Sequence, residues 1–532
     1  MPHETLKNIQ PRKYQQEIYE TCKERNCLVV LPTGIGKTLI ALMLAINRQK
    51  KFPGSKVLFL APTRPLAEQH LKYFEKNLPE LFADLQLFTG KIQAPERRKI
   101  WQTADIIFST PQCIGNDIKN NLYDLKEVSL LVEDECHRCM KNYAYTYIAQ
   151  KYKEQAENQR IIGLTASPGA EKKTIEQIAK NLSIDAIELR TRESEDVKEY
   201  IQELQFETIK LDFPEEFSKI REMLQIIFNK KTEELKNRKL LFGPPIKTIL
   251  LETQRRIMTA IASGNRHFNL LMGAGACATA IKIQHALELL ETQTLASLQS
   301  YMYELFNQAN QKKSKAVQSL VKLAEFNQAF IAINELIARK VENPKILELK
   351  NIIENSIKED PKSKAIIFAQ FRDTVTKISK ELNLIKGINA KVFIGQAKKS
   401  NSRNEEESGL SQKEQHEIIG EFSRGEINVL CATSIGEEGL DIPEVNSVIF
   451  YEPIPSAIRK IQRAGRTARL MKGKLIILMI KKTRDEAYYY AAINKEKKMH
   501  SAIKSIKENM DKNNGIKNNN FEIKSQPQKT LF

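Results

Sequence analysis

Short apolar runs alternate with helical stretches through the first two hundred residues, a rhythm that predicts strands and helices in turn and hence a parallel α/β sheet. The runs Cys27 to Leu31, Lys56 to Ala61, Asp105 to Ser109, Ser129 to Glu133 and Arg160 to Leu164 are rich in leucine and β-branched residues and lack polar alternation. Strands of that kind are covered on both faces. From Pro214 to Asn343 the apolar residues instead recur at helical spacing, as in Val317, Leu320, Val321 and Ala324. Gly243-Pro244-Pro245 and Gly273-Ala274-Gly275 are expected to punctuate several helices there. Strand-like runs resume at Ala365 to Ala369, Lys391 to Ile394, Asn428 to Cys431, Ser447 to Tyr451 and Lys474 to Ile480, predicting a second parallel sheet. Beyond about Thr483 a Lys-rich helical stretch leads into the polar run Asn513 to Asn520, too poor in large apolar residues to pack.

The expected organisation is an α/β lobe over 1–205, an all-helical insertion over 206–343, a second α/β lobe over 344–499 and a basic disordered tail over 500–532. A helical elaboration of the first lobe's own core is the alternative for the middle segment.

Charge adds a partner class. The chain of 532 residues carries 83 Lys and Arg against 65 Asp and Glu, a formal charge of +18, which makes nucleic acid the first candidate and a solvated basic surface the alternative. The seven cysteines form no disulfide framework. Cys136 and Cys139 make a lone CxxC beside His137, with no second ligand pair at zinc-site spacing, so no metal is expected on them. Met1 to Ile18 holds no signal-peptide core, and no unbroken apolar run approaches the roughly 20 residues of a membrane span. A cytoplasmic, nucleoid-associated protein without a membrane partner is expected.

Three clusters carry chemistry. Pro32-Thr33-Gly34-Ile35-Gly36-Lys37-Thr38 follows a strand and opens an apolar helix. Gly34 and Gly36 permit a tight turn whose amides face phosphates, Lys37 reaches the β/γ-phosphates, and Thr38 offers its hydroxyl to Mg²⁺. The leading Gly of the general P-loop pattern is absent. Asp134-Glu135-Cys136-His137 follows another strand: Asp134 is the natural second anchor for Mg²⁺, and Glu135 is placed to polarise the attacking water. In Gln462-Arg463-Ala464-Gly465-Arg466-Thr467-Ala468-Arg469, the guanidiniums of Arg466 and Arg469 share a helix face and can neutralise charge on a transferred phosphoryl group. A surface basic helix is the alternative for that cluster taken alone. ATP and Mg²⁺ are the expected cofactors.

In this order, with Ala61-Pro62-Thr63-Arg64, Thr110-Pro111-Gln112 and Thr165-Ala166-Ser167 between, the clusters resemble superfamily 2 helicases. Asn142-Tyr143-Ala144-Tyr145, Phe393 to Ala397, Gly409 to Gln415, Ala432 to Asp441 and Tyr451 to Arg459 resemble the archaeal Hef helicase, a relative of the eukaryotic FANCM translocase. The resemblance reaches to about Met499. It implies two RecA-like lobes with a helical insertion that favours branched DNA, and ATP-driven translocation or fork remodelling. On matching positions it implies that Arg12 and Gln15 read adenine, that Arg64, Thr110 and Thr433 touch the nucleic-acid backbone, and that Thr165 and Ser167 couple hydrolysis to lobe movement. It also places Gly439 and Asp441 at the nucleotide cleft and Gln462 among the catalytic residues.

Three departures matter. Motif II reads DECH where Hef proteins have DEAH, and DECH also occurs in RIG-I-like and Dicer helicases that bind double-stranded RNA. Ala468 stands where Gly is usual. The chain past Met499 shows no acidic and basic cluster of nuclease type, so no DNA cleavage is expected. Gln528-Lys529-Thr530-Leu531-Phe532 resembles the opening of a sliding-clamp (PCNA) peptide, with Gln528, Leu531 and Phe532 as anchors, and a fortuitous polar tail is the alternative. The leading reading is an ATP-dependent DNA helicase or translocase acting on stalled forks and junctions. Its rivals are a duplex-RNA-stimulated ATPase and a clamp-tethered junction adaptor that uses ATP as a switch.

Overall fold

Two fully parallel sheets organise the chain. The computed structural model describes residues 5–7, 9–192, 194–200, 204–395, 409–433, 443, 445–454 and 473–513. The first sheet holds β1 (Cys27–Val30), β2 (Lys56–Leu60), β3 (Leu85–Phe88), β4 (Ile106–Ser109), β5 (Val128–Asp134), β6 (Ile161–Thr165) and β7 (Ala186–Leu189), in the order β3-β4-β2-β5-β6-β1-β7. Alternate residues of its strands feed two separate cores. Val29, Val57 and Val132 pack with the helices Lys13–Glu24 and Lys37–Lys51 on one face, while Leu28, Leu58 and Leu131 pack with Ala144–Gln155 and Lys172–Asn181 on the other. Burial on both faces is why these strands read as unbroken apolar runs.

The second sheet holds β8 (Leu204–Leu211), β9 (Ala365–Phe368), β10 (Ala390–Phe393), β11 (Val429–Ala432), β12 (Ser447–Phe450) and β13 (Gly473–Ile480), in the order β10-β11-β9-β12-β13-β8. Here the expected domain boundary shifts. β8 pairs with β13 along its whole length, from Leu204↔Gly473 to Leu211↔Ile480, so 204–205 belongs to the second sheet and not to the first lobe, and 206–211 to that sheet and not to the helical insertion. Its mixed sequence Leu-Gln-Phe-Glu-Thr-Ile-Lys-Leu suits an edge strand, which is covered on one face only.

Between the sheets, the helices Glu215–Asn237, Lys247–Ala262, Phe268–Thr292, Leu295–Asn310, Lys315–Leu320 and Ala324–Ala338 close around their own core, with Phe217, Leu224, Ile283, Leu287, Leu298 and Phe326 among its buried members. The segment is therefore a bundle with its own interior and not an elaboration of the first lobe's core. Gly273 does not break a helix as the sequence suggested. It lies within Phe268–Thr292, where a Cβ would stand 2.1 Å from Leu240 Cδ1, so the missing side chain admits Leu240. Of the described helices, this one alone is long and apolar enough to cross a membrane, and half of its most apolar stretch is buried in the bundle.

The tail differs most from expectation. A helix over Arg484–Asn513 leaves the second lobe and returns to the first. Met499, Ile503 and Ile506 are buried in the first lobe's core, Lys172 Nζ donates to Ser505 Oγ at 3.3 Å, and Tyr488 donates to Glu288 of the bundle at 2.8 Å. Residues 500–513 are thus seated helix, because Met499, Ile503, Ile506 and Met510 recur at helical spacing and present one apolar stripe. Ile503→Ala should destabilise the first lobe by about 2–5 kcal/mol and lower its melting midpoint; an unchanged midpoint would show that this end of the helix does not seat. The clamp-peptide residues Gln528, Leu531 and Phe532 lie outside the described residues.

Candidate active site

The carboxyl ends of β1, β6 and β5 are neighbours in the first sheet, and each is followed by one of the predicted motifs. The loop after β1 turns through left-handed backbone at Gly34 (φ 84°) and Gly36 (φ 87°), a conformation that costs residues with a Cβ about 1–2 kcal/mol. Gly36 caps the helix Lys37–Lys51. From the preceding helix, Tyr14 donates to the Ile35 carbonyl at 2.5 Å, and the Gln15 amide donates to the carbonyls of Ile35 and Gly36 at 3.3 and 3.4 Å. The Gln15 oxygen accepts from the Arg12 N–H at 2.8 Å. In this geometry Gln15 braces the loop, while the Arg12 guanidinium lies 5.1 Å from the centre of the Tyr200 ring.

Lys37 Nζ donates to the carbonyls of Leu31 at 3.0 Å and Pro32 at 3.5 Å. Thr33 Oγ1 is buried without a hydrogen-bond partner among the described residues, an unpaired hydroxyl within the loop. The Thr38 hydroxyl lies 3.4 Å from Nδ1 of His70, and His70 Nε2 lies 2.9 Å from Asp134 Oδ2. One imidazole therefore joins the two expected Mg²⁺ ligands. The oxygens present, one hydroxyl and one carboxylate, fit a hard cation that completes its shell with phosphate and water. Burial alone would raise the Asp134 carboxyl, but the hydrogen bond from His70 and the field of Lys37 hold it below the usual carboxylate range.

Three acidic residues in a row would repel one another were all charged. Burial pushes the carboxyl of Glu133 up to about 8, only partly offset by the Cys139 thiol, so at neutral pH this residue is largely protonated. A protonated Glu133 places one charge fewer beside Asp134. Glu135 adopts left-handed backbone (φ 50°, ψ 45°), a strain of about 1–3 kcal/mol for a non-glycine residue that swings the side chain off the strand line. Its carboxylate lies 3.3 Å from His137 Nδ1, which is 3.2 Å from Thr165 Oγ1. Thr165 Oγ1 accepts the Ser167 N–H at 3.1 Å, and Ser167 Oγ donates to Met499 Sδ at 2.8 Å. A continuous set of contacts thus runs from the expected general base, through both expected coupling residues, to the helix that comes from the second lobe.

Cys136 is buried, with its Sγ against the bare Cα of Gly163, where a Cβ would lie 3.0 Å away. Burial raises the thiols of Cys136 and Cys139, and no cluster of metal-ligating side chains exists among the described residues. The expected nucleic-acid contacts follow other strand ends. Thr110 caps a helix after β4, Arg64 begins one after β2 and is paired with Glu68 at 2.6 Å, and Thr433 follows β11. Gly439, Asp441, Gln462, Arg466 and Arg469 lie outside the described residues. Sequence reasoning missed His70. The available signal was a titratable ring on the buried stripe Ala67, His70, Phe74, Asn77 of its helix.

Comparison with known proteins agrees with this geometry. Residues 12–175 match the DEAD/DEAH box helicase family, 344–471 the helicase conserved C-terminal domain, and 216–343 a family described as the helical bundle of an ATP-dependent RNA helicase. The chain is 37% identical over 504 residues to a Methanocaldococcus jannaschii protein named as an ATP-dependent RNA helicase, covering 94% of this chain and 61% of that protein. It is 32% identical over 522 residues to the ATP-dependent DNA helicase mph1 of Sclerotinia sclerotiorum, covering 91% of this chain and 41% of that protein. It therefore spans less than two thirds of either relative. The crystal structure of the Pyrococcus furiosus Hef helicase domain superposes with a TM-score of 0.68 at 43% identity, covering 91% of this chain and 98% of that one.

Proposed function

Because the chain belongs to the Hef family of ATP-dependent superfamily 2 helicases, we propose that it is a motor that couples ATP hydrolysis to movement on branched DNA, such as stalled forks and junctions, in repair or replication restart. The observation that carries this reading is the unbroken set of contacts from Glu135 through His137, Thr165 and Ser167 to Met499, because it ties a hydrolytic base to a helix rooted in the other lobe.

In this proposal the loop amides between Gly34 and Thr38 cradle the phosphates, and Lys37 turns from the loop carbonyls to the β/γ-phosphates. Thr38 and Asp134 hold Mg²⁺, which when bound neutralises charge shared by the β- and γ-phosphates. Glu135 orients the attacking water and accepts its proton as the γ-phosphorus–oxygen bond to ADP breaks and inorganic phosphate forms. Arg466 and Arg469 neutralise charge on the transferred phosphoryl group. Thr165 and Ser167 pass the altered position of Glu135 and His137 to the returning helix. Arg12 and Gln15 border the base, and Arg64, Thr110 and Thr433 track the sugar-phosphate backbone, so binding is salt-sensitive and indifferent to sequence.

A duplex-RNA-stimulated ATPase is the second reading, favoured by Cys136 in motif II and by the RNA-helicase name of the M. jannaschii relative. Steady-state ATPase at fixed salt, measured with forked DNA, a four-way junction, linear duplex, single strand and duplex RNA, separates them. Forks or junctions are expected to stimulate most. Strongest stimulation by duplex RNA would transfer the case to the second reading, and no stimulation by any of them would point to a nucleotide-switched adaptor.

A further inference from the structure

We infer that His70 is a positioning residue that prepares both protein oxygens of the Mg²⁺ site, an assignment that rests on the active-site reading above. His70 is 7% exposed in the helix Arg64–Asn77, and its ring is fixed against Phe59 with ring centres 4.4 Å apart. Its two nitrogens face two different ligands: Nε2 is 2.9 Å from Asp134 Oδ2 and Nδ1 is 3.4 Å from Thr38 Oγ1. The tautomer carrying its proton on Nε2 satisfies both contacts, donating to the carboxylate and accepting from the hydroxyl.

The direction of those hydrogen bonds matters for a cation. A hydroxyl has one proton and two lone pairs, and it can serve a metal only with a lone pair. In that tautomer the Thr38 proton is committed to His70, and Thr38 presents lone pairs to the site. The same ring holds one oxygen of Asp134 and leaves the other available. Tyr145 restrains the strand end as well, donating to the Asp134 carbonyl at 2.6 Å. Positioning of this kind raises metal affinity without adding a ligand, and loss of such a partner typically weakens binding about 10- to 100-fold.

The test is Mg²⁺-dependent binding of a fluorescent ADP analogue to the full chain, which needs no turnover. His70→Phe keeps a ring against Phe59 but neither hydrogen bond, and His70→Leu is a second apolar variant should phenylalanine not fold. His70→Gln restores one donor and one acceptor. The apolar variants are expected to raise the Mg²⁺ concentration for half-maximal binding about 10-fold or more, with analogue binding in EDTA unchanged and with the Gln variant within about threefold of wild type. A wild-type Mg²⁺ response in His70→Phe or His70→Leu would overturn the role, as would a Gln variant as weak as either. Absence of Mg²⁺-dependent binding in the wild type would instead remove the active-site reading on which the role rests.

Discussion

Lys37→Ala is expected to reduce nucleic-acid-stimulated ATPase by about 10²- to 10³-fold while leaving the fold intact. The ammonium donates to the carbonyls of Leu31 and Pro32, which belong to the loop itself, so its loss leaves those acceptors to water and opens no core. Position 37 is the first residue of its helix, where alanine is well tolerated. The chemical loss is far larger. A charge aimed at the phosphates acts in a partly water-excluded cleft, and nothing else described beside the loop replaces it. The substitution also removes one of the influences that keep the Asp134 carboxyl low, so that group should shift upward. Nucleic-acid binding should survive, because Arg64, Thr110 and Thr433 sit at other strand ends. Paired measurements of turnover and melting midpoint decide the matter. Retention of more than about a tenth of wild-type turnover would sink the assigned role, since removing one such group typically costs at least about 10²-fold.

The motifs that such substitutions address were visible in the chain because each sits at the end of a doubly covered strand. β1, β5 and β6 are built on short apolar runs such as Leu130-Leu131-Val132, so the residues that follow them stand out as chemistry. The edge strands were harder to see. β3 reads Leu-Gln-Leu-Phe, β7 reads Ala-Ile-Glu-Leu, and β8 mixes Gln205, Glu207, Thr208 and Lys210 with apolar residues out of strict alternation. Short or irregular segments of that sort are not distinguishable from loop by periodicity, and β8 acquires its sheet only by pairing with a strand more than 260 residues away. His70 was invisible for a related reason. A histidine on an apolar helix stripe is usually a core residue with a satisfied ring, and only the fold places it between Thr38 and Asp134. The seat of the C-terminal helix could not be read either, because its lysines mask the stripe Met499, Ile503, Ile506 and the lobe that receives it is distant in sequence.

Lys345→Met should be among the most destabilising single substitutions in the chain, by about 3–5 kcal/mol near neutral pH. Lys345 and Asp485 are both fully buried, with Nζ 2.5 Å from Oδ2. Lys345 lies in the first turn of the helix Pro344–Glu359, which enters the second lobe from the bundle, and Asp485 lies in the first turn of the helix that returns to the first lobe. Around them, Lys345 donates to the Thr292 carbonyl at 3.0 Å, Thr374 donates to Gln293 at 2.8 Å, and Asn343 donates to the Gln293 carbonyl at 2.7 Å. The pair therefore pins the joint between the helical bundle and the second lobe, at the root of the helix that runs on to the first lobe. Burial raises the Asp485 carboxyl to about 6 even though Lys345 and the Ile480 amide pull it down. With a folded pKa above its ordinary 3.8, this group stabilises the fold fully below about pH 3.8, and that contribution is lost as pH rises through about 6. Removing Lys345 strands the carboxylate, which should raise its pKa further and extend the loss toward neutral pH. The melting midpoint of Lys345→Met should accordingly recover part of its deficit on acidification from pH 7.5 to pH 5.5, relative to wild type. Asp485→Asn in the same background keeps an acceptor for the Ile480 amide and abolishes the buried charge, so the double variant should be more stable than Lys345→Met alone. A double variant that melts no higher than Lys345→Met, with no pH dependence in either, would show that Lys345 stabilises the joint by packing and not by charge.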